Sequence, residues 1–222
     1  MFLSILDYCG SFAFCLSGAT IAASRRMDIF GVFVMSVIAG FGGGVSRDII
    51  IGKTPPTIFH TPAYWVIALL TTFLVFAVKK QNRFLEKGVI LFDSLGLAFF
   101  TLVGIKTAED YGLLNYQCIM MGVITASFGG IMRDVIVNRV PYIFQKEIYA
   151  GFAVIGGLFY YFIKDFLPPF MLPYITETIQ EIIVILFIFI ARMISVWKNW
   201  HLPRPCDVTV NGNKIKITRP KN

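Results

Sequence analysis

The chain has 222 residues, 56% of them hydrophobic and only 15% charged, with a mean hydropathy of +0.71. A soluble domain carries about 25% charged residues, so these numbers argue against a soluble enzyme and against intrinsic disorder. The net charge of +7 is therefore first a question about membrane topology, ahead of any nucleic-acid partner, and none is expected.

A spanning helix needs about 20 mostly apolar residues. Seven such segments are predicted, from Phe2 to Ser24, Asp28 to Ile51, Thr61 to Val78, Gly88 to Ala108, Leu113 to Val137, Ile148 to Ile163 and Tyr174 to Trp197. The fold class expected is an all-α polytopic membrane protein. The first segment is too long for a signal-peptide core and lacks a basic leader and an A-x-A site, so it is expected to stay as a mature helix. Arg25 and Arg26, then Lys79, Lys80, Arg83 and Lys87, then Arg139 and Lys146, then Lys198 and the tail all fall on one face after alternate crossings. The opposite face keeps mainly Lys53 and Lys164. The positive-inside rule then predicts an outside N-terminus and a cytoplasmic C-terminus.

The transmembrane domain is expected over residues 1–201, with a basic cytoplasmic tail over 202–222. In the tail, Val208-Thr209-Val210, Asn211-Gly212, Ile215 and Ile217 suggest a small hairpin, with a loose basic tail as the alternative. Cys9, Cys15, Cys118 and Cys206 form no CxxC pair, and His60 and His201 lie far apart. No transition-metal site, nucleophile–base pair or cofactor fingerprint is expected, and so no enzyme.

An internal repeat organises the spans. Gly42-Gly43-Gly44-Val45-Ser46-Arg47-Asp48 recurs as Phe128-Gly129-Gly130-Ile131-Met132-Arg133-Asp134, an offset of 133 − 47 = 86. The same offset pairs Asp7 with Asp93, Gly10 with Gly96, Phe14 with Phe100, Gly18 with Gly104, Met35 with Met121 and Pro55 with Pro141. The copies run over about 4–80 and 88–164, with an extra helix at about 174–197. Three spans per copy is an odd number, so the second copy is predicted to enter the membrane inverted, as in many transport proteins.

Candidate functional residues cluster at the repeated motif. Glycines 42–44 and 129–130 lie inside spans two and five, where they invite a kink or local unwinding. Carbonyls freed there could coordinate potassium, whereas close helix packing by small residues is the plainer alternative. Arg47 with Asp48, and Arg133 with Asp134, are expected as buried pairs that lock the kinked helices or set the charge of a path. Lys106 is unique to the second copy, opposite Thr20, and either snorkels or faces a pore or a lipid headgroup. Ser17 and Thr107 are candidate pore hydroxyls. Asp7 and Asp93 open the first helix of each repeat, where a carboxylate suits the helix dipole, and a role at the pore stays open.

The doubled Gly-Gly-x-x-Arg-Asp within a three-plus-three-plus-one plan resembles the prokaryotic branch of the TRIC family, the trimeric intracellular cation channels. That branch is also catalogued as a glycine transporter family. Ser17-Gly18-Ala19, Arg25 to Gly31, Gly42 to Asp48 and Gly104 to Ala108 carry the resemblance, over about residues 4 to 197. It implies a homotrimer with a potassium-permeable pore in each subunit, lined by the glycine-bearing second and fifth helices, in a prokaryotic cytoplasmic membrane. In animal members a Lys-Glu-Val motif after span four is associated with phosphoinositide lipid. Only its lysine is matched here, by Lys106, so the resemblance does not carry phosphoinositide binding over. Two functions remain in view: a cation channel passing potassium or sodium without another cofactor, and a secondary transporter of glycine or another small amino acid.

Overall fold

Each long apolar run folds as a helix, and the polar or glycine residues between runs decide where it stops. The computed structural model describes residues 2–77, 83–145, 149–166, 177–198, 200, 207–211 and 214–218. Its helices are α1 (Phe2–Ser24), α2 (Ile29–Ile50), α3 (Thr57–His60), α4 (Pro62–Ala77), α5 (Arg83–Asp110), α6 (Asn115–Ile136), α7 (Tyr142–Gln145), α8 (Tyr149–Phe166) and α9 (Glu177–Lys198). Strands β1 (Asp207–Asn211) and β2 (Lys214–Thr218) form an antiparallel pair with Asp207 opposite Thr218 and Val210 opposite Ile215. The tail thus adds a hairpin to an otherwise helical chain. The expected starts of the sixth span at Ile148 and the seventh at Tyr174 lie outside the described residues.

Among the described residues five helices are long and apolar enough to cross a membrane: α1, α2, α6, α9 and the Gly88–Asp110 part of α5. α4 is a shorter apolar helix of 16 residues. The chain is inside-out in polarity. Arg47, Asp48, Asp93, Arg133 and Asp134 are buried, while Phe30, Leu70 and Phe73 are among the apolar side chains left exposed. Only lipid suits that arrangement, and the chain is a membrane protein.

The duplication seen in the sequence recurs in the backbone. After α1, Arg26 takes a positive φ of 57° and Met27 N–H donates to Ala22 O at 3.2 Å. After α5, Gly112 takes φ 73° and Leu113 N–H donates to Ala108 O, also at 3.2 Å. These are equivalent positions, and both turns carry the hydrogen bond of a Schellman-type helix end. The turns after α2 and α6 match in the same way. Lys53 N–H donates to Asp48 O and Arg139 N–H to Asp134 O, at 2.7 and 2.9 Å, with Gly52 and Asn138 at positive φ.

Contacts between the copies are reciprocal. Gly10 of α1 sits against Phe100 of α5, and Gly96 of α5 against Phe14 of α1, at 2.9 and 2.6 Å from where each glycine would carry a Cβ. The two phenylalanines stack with centroids 5.4 Å apart. Likewise Gly43 of α2 abuts the Thr125 carbonyl of α6, and Gly129 of α6 abuts the Ala39 carbonyl of α2. Residue i meeting j while j meets i is the signature of an isologous twofold contact. Because contact numbers rise on one helix as they fall on the other, α1 runs antiparallel to α5 and α2 to α6.

The expected unwinding at the glycines does not occur. α2 is helical throughout Ile29–Ile50 and α6 throughout Asn115–Ile136, so their carbonyls stay in the helical ladder. The reason is that the glycines are used for approach: Gly43 and Gly129 let two backbones touch where any Cβ would strike a carbonyl. Gly44 and Gly130 differ, having nothing closer than 3.9 and 3.6 Å.

Gly43→Ala and Gly129→Ala should therefore overpack the α2–α6 contact and each cost at least ~1–3 kcal/mol. Gly44→Ala and Gly130→Ala should fold normally. Thermal unfolding of the four purified variants in detergent checks this, and equal losses at all four positions would refute it.

Candidate functional site

Burying a charge in an apolar protein is tolerated only when partners surround it. The repeated Arg-Asp steps meet that demand at the C-terminal turns of α2 and α6, where helix carbonyls already favour a cation. Two clusters result, each with two carboxylates and one guanidinium.

In the first cluster, Arg47 Nε donates to Asp48 Oδ1 at 2.9 Å and Nη2 lies 2.8 Å from the same oxygen. Asp48 Oδ2 accepts from the backbone N–H and the hydroxyl of Thr57, at 2.8 and 2.7 Å. Asp48 thereby ties the end of α2 to the start of α3. Asp7 of α1 accepts from the Tyr64 hydroxyl of α4 at 2.8 Å. These groups line a cavity with Ser11, Gly40 and Gly44. It measures about 20 Å³, room for one water where ~10–15 Å³ is needed. The buried Arg47 Nη1 has no hydrogen-bond partner among the described residues.

In the second cluster, Arg133 Nε donates to Asp134 Oδ1 at 3.0 Å. Its Nη1 donates to both Asp93 Oδ1 and Ser17 Oγ, each at 2.6 Å. Asp134 Oδ2 accepts from the Tyr142 N–H at 3.3 Å, as Asp48 does from Thr57. Asp93, Gly130, Arg133, Asp134, Tyr142 and Tyr149 line a cavity of about 10 Å³. Tyr149 carries the Arg192 guanidinium of α9 over its ring, 4.9 Å from the centroid.

Asp93 is not at a helix start, as the sequence suggested. α5 begins at Arg83, so Asp93 lies well inside it and is held by Arg133 rather than by a helix dipole. Asp7 is likewise engaged by Tyr64. Lys106 and Thr107 lie apart from both cavities, near the end of α5. Lys106 Nζ pairs with Glu181 Oε1 at 3.0 Å and Glu177 Oε2 at 3.7 Å, both on α9. Beside it, Glu109 accepts from Lys164 Nζ at 2.9 Å and from the Tyr160 hydroxyl at 3.1 Å.

Sequence reading did not single out Tyr64, Tyr149, Thr57 or Tyr142. Tyr64 and Tyr149 are 85 positions apart rather than 86, so a gap-free comparison of the copies passes them by. Thr57 and Tyr142 act partly through backbone N–H groups, which leave no mark on residue type.

The family model described as glycine transporter matches residues 4–80 and 90–165 of the chain. The UPF0126 inner membrane protein YadS of Escherichia coli K12 is 34% identical over 205 residues, covering 90% of this chain and 93% of its own. Among solved structures, a prokaryotic TRIC channel in 0.5 M KCl superposes with a TM-score of 0.81 at 31% identity, covering 91% of this chain and 99% of that one. The TRIC trimeric intracellular cation channel orthologue from Rhodobacter sphaeroides superposes with a TM-score of 0.78 at 30% identity, covering 88% and 98%.

Arg133→Ala strands Asp93 and Asp134 in the interior and should cost ~3–5 kcal/mol. Lys106→Ala leaves one buried acid, Glu181, without its cation, while Glu177 stays exposed, and should cost less, ~1–3 kcal/mol. Heat unfolding of both variants beside the parent gives the comparison. A larger loss for Lys106→Ala would reverse the ranking of the two sites.

Proposed function

The chain belongs to the TRIC family, and from that membership we propose that it is a channel for monovalent cations, chiefly potassium, working as a homotrimer with one path in each subunit. The observation that carries this reading is the pair of buried clusters flanking the α2–α6 contact. Each sets two carboxylates around one guanidinium, Asp7 and Asp48 with Arg47 in one and Asp93 and Asp134 with Arg133 in the other. A water-sized cavity opens onto each. Carboxylate oxygens beside a water-sized cavity offer a cation hard ligands within the protein interior.

In this reading seven helices span a prokaryotic cytoplasmic membrane as an inverted three-plus-three repeat with α9 added, the N-terminus outside and the C-terminal tail in the cytoplasm. Sodium can follow the potassium route, membrane lipid is the surrounding partner, and no other cofactor is needed. Because α2 and α6 keep their helical hydrogen bonds, the ion's ligands are carboxylates, the Ser17 hydroxyl and water rather than freed glycine carbonyls. Gly44 and Gly130 matter as bare surface beside the arginines, and Gly42, Gly43 and Gly129 as packing. With room for about one water per cavity, the conformation is closed. Lys106 is committed to Glu181 and Glu177, which argues against a phosphoinositide headgroup there and makes it a tie between α5 and α9. The solved structures that the chain resembles at 30% and 31% identity are cation channels, which favours the channel over the glycine transporter.

Purified protein in planar bilayers under a potassium gradient should show unitary steps reversing near the potassium potential. Gradient-driven glycine uptake into liposomes, with no such steps, would overturn the channel in favour of the transporter.

A further inference from the structure

The two clusters are copies in sequence yet opposite in bonding. In the first, the carboxylate of Asp7 is held by a tyrosine, Tyr64, at 2.8 Å, and Arg47 Nη1 has no hydrogen-bond partner among the described residues. In the second, the carboxylate of Asp93 is held by the arginine, Arg133 Nη1, at 2.6 Å. There it is the tyrosine that waits. The Tyr149 hydroxyl lies beside Asp93 over Gly130, with no well-formed hydrogen bond among the described residues. Tyr64 and Tyr149 both come from the third long helix of their copy, α4 and α8.

We propose that these are the two positions of one partner-exchange switch, and that the second half opens when Asp93 passes from Arg133 to the Tyr149 hydroxyl. This rests on the channel reading above. The exchange needs no proton transfer. The phenol donates its O–H to the carboxylate, and Arg133 keeps its Nε bond to Asp134 while Nη1 is released, as Arg47 keeps Asp48 with no partner for Nη1 among the described residues.

The geometry keeps the movement short. A Cβ on Gly130 would lie 3.6 Å from Tyr149 Oη and 3.7 Å from both Asp93 Oδ1 and Arg133 Nη2. The three groups therefore meet over one bare helix face, with no side chain between them. Arg133 Nη1 is braced there by Ser17 Oγ at 2.6 Å. The equivalent of Ser17 in the other copy is Val103, which offers Arg47 no such brace. The difference in bracing accounts for why the two halves sit in different positions. Arg192, from the helix without a counterpart, stacks on the Tyr149 ring and makes Tyr149 the point at which α9 can bias the exchange.

The test is a double-mutant cycle on the intact protein, with Ser17→Ala to loosen Arg133 and Tyr149→Phe to remove the waiting donor. Tyr149→Phe deletes a hydroxyl with no well-formed hydrogen bond among the described residues, so it should fold, and its thermal midpoint checks that. In bilayers Ser17→Ala should raise open probability about tenfold and Tyr149→Phe should lower it about tenfold. In the double variant the rise from Ser17→Ala should vanish, a non-additive outcome that a passive scaffold would not produce. Additive effects, or a change in step size with open probability unmoved, would overturn the switch. An infrared difference spectrum of the tyrosine C–O stretch reads the exchange without any current. Ser17→Ala should gain a hydrogen-bonded phenol signal that the double variant lacks, and absence of that gain would overturn the exchange. If no variant and no parent shows unitary steps, the channel reading falls while the infrared result still decides the exchange.

Discussion

The approach of α2 and α6 at Gly43 and Gly129 is the constraint on which the rest of the structure depends. Each glycine lets the carbonyl of the other helix into the space a Cβ would fill. In lipid there is no hydrophobic drive between apolar helices, so such close packing is what holds them. The contact also fixes the register of everything attached to those helices. One turn beyond each glycine comes an Arg-Asp step, so bringing Gly43 and Gly129 together sets the two charged clusters on either side of the crossing.

Those clusters in turn organise the ends of the fold. Asp48 and Asp134 each reach across a turn to a backbone N–H, that of Thr57 and that of Tyr142. A buried carboxylate needs several donors, and the loops following α2 and α6 are shaped to supply them. The arginines satisfy the facing oxygen of the same carboxylates. One interaction set thus neutralises charge and closes the loop at once. One further carboxylate per cluster remains, from α1 or α5, held by Tyr64 in the first and by Arg133 in the second.

α9 breaks the equivalence of the copies. It packs on α5 and α8, placing Ile188 against Gly156, Glu181 and Glu177 on Lys106, and Arg192 over Tyr149. All of these touch the second copy. Unequal surroundings let two nearly identical motifs settle into different hydrogen-bond patterns.

Much of this was determined by the amino-acid sequence alone. Too few charges for a water-facing surface meant lipid, and the gap-free offset linking Asp7 to Asp93 and Arg47 to Arg133 meant duplicated helices with buried charge. Those conclusions follow from composition and spacing, which need no coordinates. Only the tertiary structure decided how the motif is used. Gly42 to Gly44 read equally as a broken helix or as a packing face, because glycine permits both and the choice depends on what lies opposite. Lys106 could have faced a pore until α9 brought Glu181 to it. Tyr64 and Tyr149 stood one position out of register, and their relation to Asp7 and Asp93 exists only once α4 and α8 are laid against α1 and α5. Spacing along a chain records which residues repeat, but hydrogen-bond partners are chosen in space, by helices whose neighbours are far away in sequence.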